Sequence, residues 1–271
     1  MQNSKSSEKS RGIVVFAVNT ETVDYVGIAD LTSRLAHKNL GLPITLITSA
    51  GAEPKFQYDR IVTIESQGDN WRDHDKKQWR NFGRHHAYAL SPYDETILLD
   101  TDYLVLDDSL LTLLESDFEY KLMHHNTNYT GAVHERMGET SLPFVWATVV
   151  LFRKNKKTEL LFDLVAKIQR NYGYYRALYN IREANYRNDY AFAIANNMIN
   201  GYNSNEDQGI PWPMLTVEDK IDRIVLTDAQ VRVYHADCAV VVPYQNIHVM
   251  DKAYLQSRDF EQVVEVICGT A

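Results

Sequence analysis

Apolar, β-branched residues run from Gly12 to Val18, and from Asp24 to Asn39 apolar positions recur at helical spacing until Gly41 and Pro43 end the pattern. The chain thus opens with a strand and a helix. Short buried strands are expected at Ile44–Thr48 and Arg60–Ile64, then a helix over Lys77–Leu90 that stops at Ser91-Pro92, then a strand over Ile97–Val105. Strands alternating with helices predict an α/β fold, a mixed, mainly parallel sheet with helices on both faces. Further along, Tyr120–His124 and Phe144–Arg153 read as strands, Lys157–Gln169 and Asp189–Asn200 as helices, and Ile224–Thr227, Val231–His235 and Ala239–Val242 as short strands. No Pro-, Gly- and Ser-rich linker interrupts this, so one domain is expected over residues 12–271, after a flexible tail at 1–11.

Composition narrows the class. With 271 residues, 45% hydrophobic and 24% charged, the chain can bury a full core. No apolar run approaches the roughly 18 residues that span a bilayer, and the first residues lack the apolar centre of a signal peptide, so a cytoplasmic protein without a membrane span is expected. Cys238 and Cys268 are far apart and match no metal-ligand spacing; they are expected to be buried thiols. The net charge of -8 argues against a surface built as a whole for nucleic acid, while leaving room for local basic faces.

Chemistry enters at Ile97-Leu-Leu-Asp-Thr-Asp-Tyr-Leu-Val105, an apolar strand that runs into two aspartates one residue apart. On a continuing strand Asp100 and Asp102 would share a face and could serve one cation, because two adjacent buried anions need a partner. Aspartates facing water or capping the next turn are the plainer alternative. Upstream lies a basic region, Arg72, Lys76, Lys77, Arg80, Arg84, His85 and His86, with Arg80 one helical turn before Arg84. The end of the first strand, Ala17 to Asn19, and Tyr25 lie where a Rossmann-like half receives a nucleotide base. Tyr25 is expected either to stack on the base or to pack the first helix.

With its Rossmann-like first half, the segment SPYDETILLDTDYLV from Ser91 to Val105 and a later carboxylate at a helix start, the chain from about Ile13 to Lys252 resembles the GT-A glycosyltransferases, most closely the glycogenin-like family 8 type. The resemblance implies transfer of a sugar from a nucleotide-sugar, most simply a UDP-sugar, with a manganese or magnesium ion neutralising the diphosphate. It assigns Asp102 as a direct metal ligand, Asp100 as a ligand or ribose contact, and Arg84 as a basic residue against the diphosphate or the sugar. It places the third ligand at a C-terminal histidine, for which His248 is the candidate, with Lys252 reaching the diphosphate; His235 competes. An acid at the position of Asp189 approaches the sugar or the acceptor hydroxyl, although a helix-starting aspartate also serves as a plain first-turn acid. Two departures stand out: Phe144–Arg153 lacks the family's Asn-x-Gly, and His248 lacks its Gly and Lys-Pro-Trp.

The acceptor is not written in any motif. Between Arg170 and Arg187, Tyr172, Tyr174, Tyr175, Tyr179 and Tyr186 alternate with Arg176 and Arg182, a composition that suits a saccharide cleft, a DNA acceptor or an ordinary amphipathic helix. A non-catalytic glycan- or nucleic-acid-binding module on the same fold is the alternative. A sugar nucleotidyltransferase stands further behind, because the turn Asn19–Asp24 is acidic where a Gly-rich, basic phosphate loop would be expected.

Overall fold

The computed structural model describes residues 9–65, 70–71, 78–79, 81–128, 137, 142–203, 208–227, 229–236 and 238–269. Its centre is a six-stranded sheet whose order places Arg60–Ile64 at one edge, then Ile44–Ser49, Arg11–Ala17, Glu95–Leu99 and Trp146–Arg153, with Tyr120–Met123 at the other edge. The first four run parallel, Trp146–Arg153 runs against Glu95–Leu99, and Tyr120–Met123 runs against Trp146–Arg153. Every residue of Glu95–Leu99, and all of Trp146–Arg153 except its last, is buried. Since consecutive strand residues point to opposite faces, both faces of the sheet are covered, which is why these strands read as unbroken apolar runs.

The first helix, Tyr25–Leu40, starts on an Asp24 side chain that accepts from the Gly27 N–H and ends at Gly41 in the left-handed region, φ 63°. It faces two cores. Val26, Ala29 and Ala36 pack with the large sheet, while Ile28 and Leu35 pack with a second cluster built on Leu215, Val249, Leu255 and Phe260. Gly12 in the first strand is required by packing: a Cβ there would lie 2.3 Å from the Tyr93 ring, whose hydroxyl is 3.0 Å from Thr45 Oγ1.

A second sheet brings the chain's C-terminal third to the end of the first. Its order is Tyr103–Leu104, Ile247–Val249, Met214–Val217 and Asn126–Asn128, with His248 paired to Tyr103. Arg223–Leu226, Gln230–His235 and Cys238–Pro243 form a separate antiparallel meander.

Several expectations are corrected. The strand expected over Ile97–Val105 ends at Leu99; the Asp100 N–H bonds the Thr148 carbonyl at 2.9 Å, Asp100 to Asp102 form a turn, and Tyr103–Leu104 joins the second sheet. The helix expected over Lys77–Leu90 is a 3-10 turn at Asn81–His86, with Gly83 non-helical inside it, followed by a short helix at Ala87–Leu90, and Gln78–Trp79 is paired to Asn70–Trp71. Arg72, Lys76, Lys77 and Arg80 lie outside the described residues. Ser10 and Arg11, read as the end of a tail, are fastened instead: Ser10 binds Asp94, and Arg11 meets the buried Glu95 at 2.9 Å from one side while Arg153 meets it at 2.8 Å from the other. Cys238, expected to be buried, is exposed on the meander's last strand, and Cys268 is half-buried.

Candidate functional site

The polar residues converge just beyond the carboxyl ends of the parallel strands, the edge at which open α/β sheets receive ligands. The register Val15↔Leu99 sets the end of the first strand, Ala17, beside the turn that carries Asp100 and Asp102. Adjacent strands are about 4.8 Å apart. Asn19 accepts the Val26 N–H at 2.8 Å and thereby positions the start of the first helix, while Tyr25, half-buried, packs against the main core.

Asp102 is the centre of the group. Its Oδ2 takes the ammonium of Lys252 and lies 3.3 Å from His248 Nε2. Burial would push this carboxyl up, but the charge of Lys252, then His248, outweighs burial and holds it well below the usual carboxylate range. Two local features deliver these partners. The Val249 N–H bonds the Asp102 carbonyl at 2.9 Å, locking His248 opposite the turn, and Asp251 caps the short helix Lys252–Leu255, aiming Lys252.

Asp100 is held differently. Arg84, only 1% exposed, pairs with its Oδ1 and binds the Thr148 carbonyl at 3.2 Å. Burial pushes the Asp100 carboxyl up, against the pull of Arg84, and the neighbouring Asp102 raises it further. Arg84 is therefore neither a solvated cation nor a loose surface arm. Asp189 stands in the first turn of Asn188–Ile199, its Oδ1 accepting the Ala147 N–H at 2.9 Å and its Oδ2 accepting the Arg187 fork at 2.9 and 2.6 Å.

The structure thus gathers Arg84, Asp100, Asp102, Asp189, His248 and Lys252, and sets His235 apart, where its Nδ1 is 2.8 Å from the Lys220 carbonyl in the meander. In kind, two carboxylates and an imidazole suit manganese or magnesium. As arranged, among the described residues no three His, Cys, Asp or Glu groups surround a common ion position; Lys252 occupies Asp102 and Arg84 occupies Asp100.

Sequence reasoning missed Thr148, Ala147 and the pair Asn126 and Thr216, which stand behind His248. None carries a motif. It also overestimated the tyrosine segment: Tyr172, Tyr175 and Tyr186 are buried, with the Tyr172 hydroxyl on the Glu183 carbonyl and that of Tyr186 on Asn188. Tyr174 is exposed, and the hydroxyl of the half-buried Tyr179 meets that of Tyr202 at 3.1 Å. Three of the five tyrosines are thus core packing, which leaves Tyr174 and the half-buried Tyr179 as the accessible rings of the segment.

No family profile and no curated protein matches the chain. Among solved structures it is similar to the glycosyltransferase GlyE of Streptococcus pneumoniae TIGR4, at 17% identity and a TM-score of 0.41 over 74% of this chain and 45% of that one. It is also similar to the galactosyltransferase LgtC, solved with donor and acceptor sugar analogs, at 16% identity and a TM-score of 0.46 over 69% and 70%. The bifunctional glycosyltransferase WbbM follows at 11% identity and a TM-score of 0.39, over 59% and 34%. The chain spans less than half the length of GlyE and about a third of WbbM. At such identities the functional reading rests on the site's own geometry. Among the described residues no helix is long and apolar enough to cross a membrane.

Proposed function

We propose that this chain is a glycosyltransferase of GT-A type that transfers a sugar from a nucleotide-sugar, a UDP-sugar in the simplest case, with a divalent cation. The observation that carries the reading is Asp102 sharing one carboxylate oxygen with His248 and Lys252 at the carboxyl edge of the parallel sheet. Asp102 and His248, with Asp100 beside them, would hold a manganese or magnesium ion, which when bound would supply positive charge for a departing nucleoside diphosphate.

The chain's own residues divide the remaining work. Lys252 adds an ammonium for the diphosphate, the kind of fixed charge that matters most where negative charge grows in the transition state. Arg84 keeps Asp100 in place by tying it to the Thr148 carbonyl on the neighbouring strand. Asp189, oriented by Ala147 and Arg187, is held to accept a hydrogen bond from a hydroxyl of the donor sugar or the acceptor. Ala17, Asn19 and Tyr25 flank the place of the nucleotide base. The acceptor is a saccharide or a protein; the buried tyrosines count against DNA.

A thermal-shift panel of UDP-, GDP-, ADP- and CMP-sugars with and without MnCl2 tests this. Donor at about 100 times its Kd stabilises the folded state by about 2.7 kcal/mol, which for a chain of this size is a rise of about 5 °C in Tm. The rise should need the metal and vanish in Asp102→Asn. If no nucleotide-sugar shifts the transition, or if Asp102→Asn keeps the full shift, the proposal fails.

A further inference from the structure

His124 and Asn126 lie where the chain leaves the first sheet after Met123 and enters the second at Asn126. Each carries a polar atom that nothing serves. His124 Nδ1 is 3.3 Å from the Phe144 carbonyl, a group that only accepts, so this nitrogen holds the ring hydrogen. Burial lowers the His124 pKa from 6.5, which keeps the ring neutral at pH 7 and leaves Nε2 a bare acceptor. Nε2 is buried and has no hydrogen-bond partner among the described residues. Asn126 is fully buried; one end of its amide meets the Thr216 hydroxyl, while the other, Nδ2, has no partner among the described residues. Turning the amide over changes which end is left, not that one is left.

The two residues belong to a ring of contacts that closes on itself. His124 holds the Phe144 carbonyl, the Phe144 ring meets that of Trp146 at 5.1 Å, and Trp146 meets the His248 ring at 6.2 Å. His248 Nδ1 is 3.4 Å from Thr216 Oγ1, which returns to Asn126, two residues from His124. On one side of the ring stands His248, beside Asp102; on the other stands Phe144, with the guanidinium of Arg187, the partner of Asp189, 5.9 Å from its ring centre. The sugar of a nucleotide-sugar is bonded to the diphosphate, so with the diphosphate at Asp102 the sugar falls between these two sides. Buried polar groups are rarely left unpaired, and two in one corner call for an occupant that pairs them. His124 is half-buried, which sets Nε2 close below the surface. A hydroxyl both donates and accepts, so it can serve Nε2 and either end of the amide, whereas an ionised phosphate oxygen has no hydrogen to give Nε2.

We propose that His124 and Asn126 bind hydroxyls of the sugar being transferred and so decide which sugar the site takes. This rests on the nucleotide-sugar reading above and assigns the residues that read the sugar.

The test separates sugar from nucleotide. UDP-, GDP-, ADP- and CMP-sugars are titrated calorimetrically beside bare UDP, GDP, ADP and CMP, all with MnCl2. For the nucleotide that binds, the ratio of nucleotide-sugar affinity to bare-nucleotide affinity should fall about 3- to 10-fold in His124→Phe and in Asn126→Leu, the loss of one neutral hydrogen bond. A deoxy analogue lacking the hydroxyl that Nε2 holds should lose the same factor on wild type and nothing further on His124→Phe. In parallel, nitrogen NMR of the wild type should show the His124 Nε2 resonance moving upfield from its bare position with the nucleotide-sugar and staying in place with the bare nucleotide, a readout that needs no variant to fold. An unchanged ratio in the folded variants, or an Nε2 resonance that ignores the sugar, means that enclosed water serves these atoms and overturns the inference while the nucleotide-sugar reading stands. If wild type binds neither nucleotide-sugar nor nucleotide, both fall.

Discussion

The ammonium of Lys252 rests on Oδ2 of Asp102, a residue 150 positions earlier in the chain. The contact is built from two ends: the Val249 N–H on the Asp102 carbonyl brings the strand alongside, and the Asp251 cap turns the next four residues into a helix that points Lys252 inward. A cation is thereby delivered to a carboxylate that burial alone would have pushed toward its neutral form.

If Lys252 serves the diphosphate, Lys252→Met should weaken UDP binding in the presence of Mn2+ by about 10- to 100-fold, the equivalent of one hydrogen bond to a charged group. Lys252→Arg should recover part of the loss, because charge is kept and reach is not. Isothermal calorimetry reads both, and an unchanged affinity in the methionine variant would remove Lys252 from the site.

Arg84 is the most deeply buried cation at the site, with Asp100 and the Thr148 carbonyl as its partners. Arg84→Met leaves the Asp100 charge without its counter-ion and should destabilise the fold by about 3–5 kcal/mol. Arg84→Lys, lacking the planar fork, should fall between the two. Urea unfolding measures the series; a cost below about 1 kcal/mol for the methionine variant would mean that the pair does not hold the turn.

The pH response should be visible at His124. Its Nδ1 is 3.3 Å from the Phe144 carbonyl, its Nε2 is buried without a partner, and burial lowers its pKa from 6.5. Below about pH 6.5 the unfolded chain takes up a proton that the folded protein resists, so the unfolded state binds more protons and stability falls as pH falls. His86, also lowered by burial, acts in the same sense. Asp30, raised by burial, acts in the opposite sense, its contribution being lost as pH rises through the carboxylate range. The urea midpoint should therefore drop between pH 7 and pH 5, and less steeply in His124→Gln, whose amide still has a donor for the Phe144 carbonyl. Equal slopes for the two proteins would show that His124 is not resisting protonation.

Gly12→Ala tests the packing of the first strand. Its new Cβ would be 2.3 to 2.5 Å from three atoms of the Tyr93 ring, which the Thr45 contact restrains. A loss of about 1–3 kcal/mol is expected, and a thermal melt of the alanine variant measures it. Combining it with Tyr93→Leu, which shortens the obstructing side chain, should cost less than the two single changes added together.

By itself the sequence determined what local pattern can carry. Unbroken apolar runs at Gly12–Val18 and Ile44–Thr48 marked strands covered on both faces, Gly41 and Pro43 marked the end of the first helix, and an apolar strand running into Asp100 and Asp102 marked the acidic turn. These are properties of neighbours in the chain, and periodicity reports them directly. Only the tertiary structure decided where the first parallel strands end and which distant groups meet there. Leu99 is the last strand residue because the chain turns immediately after it, the Tyr103 N–H bonding the Asp100 carbonyl; His248 instead of His235 faces Asp102 because its strand pairs with Tyr103; Thr216 meets Asn126 across 90 residues because two short strands lie in register. The pairing of strands far apart is chosen by which surfaces can be buried together over the whole fold, and no window of sequence contains both partners.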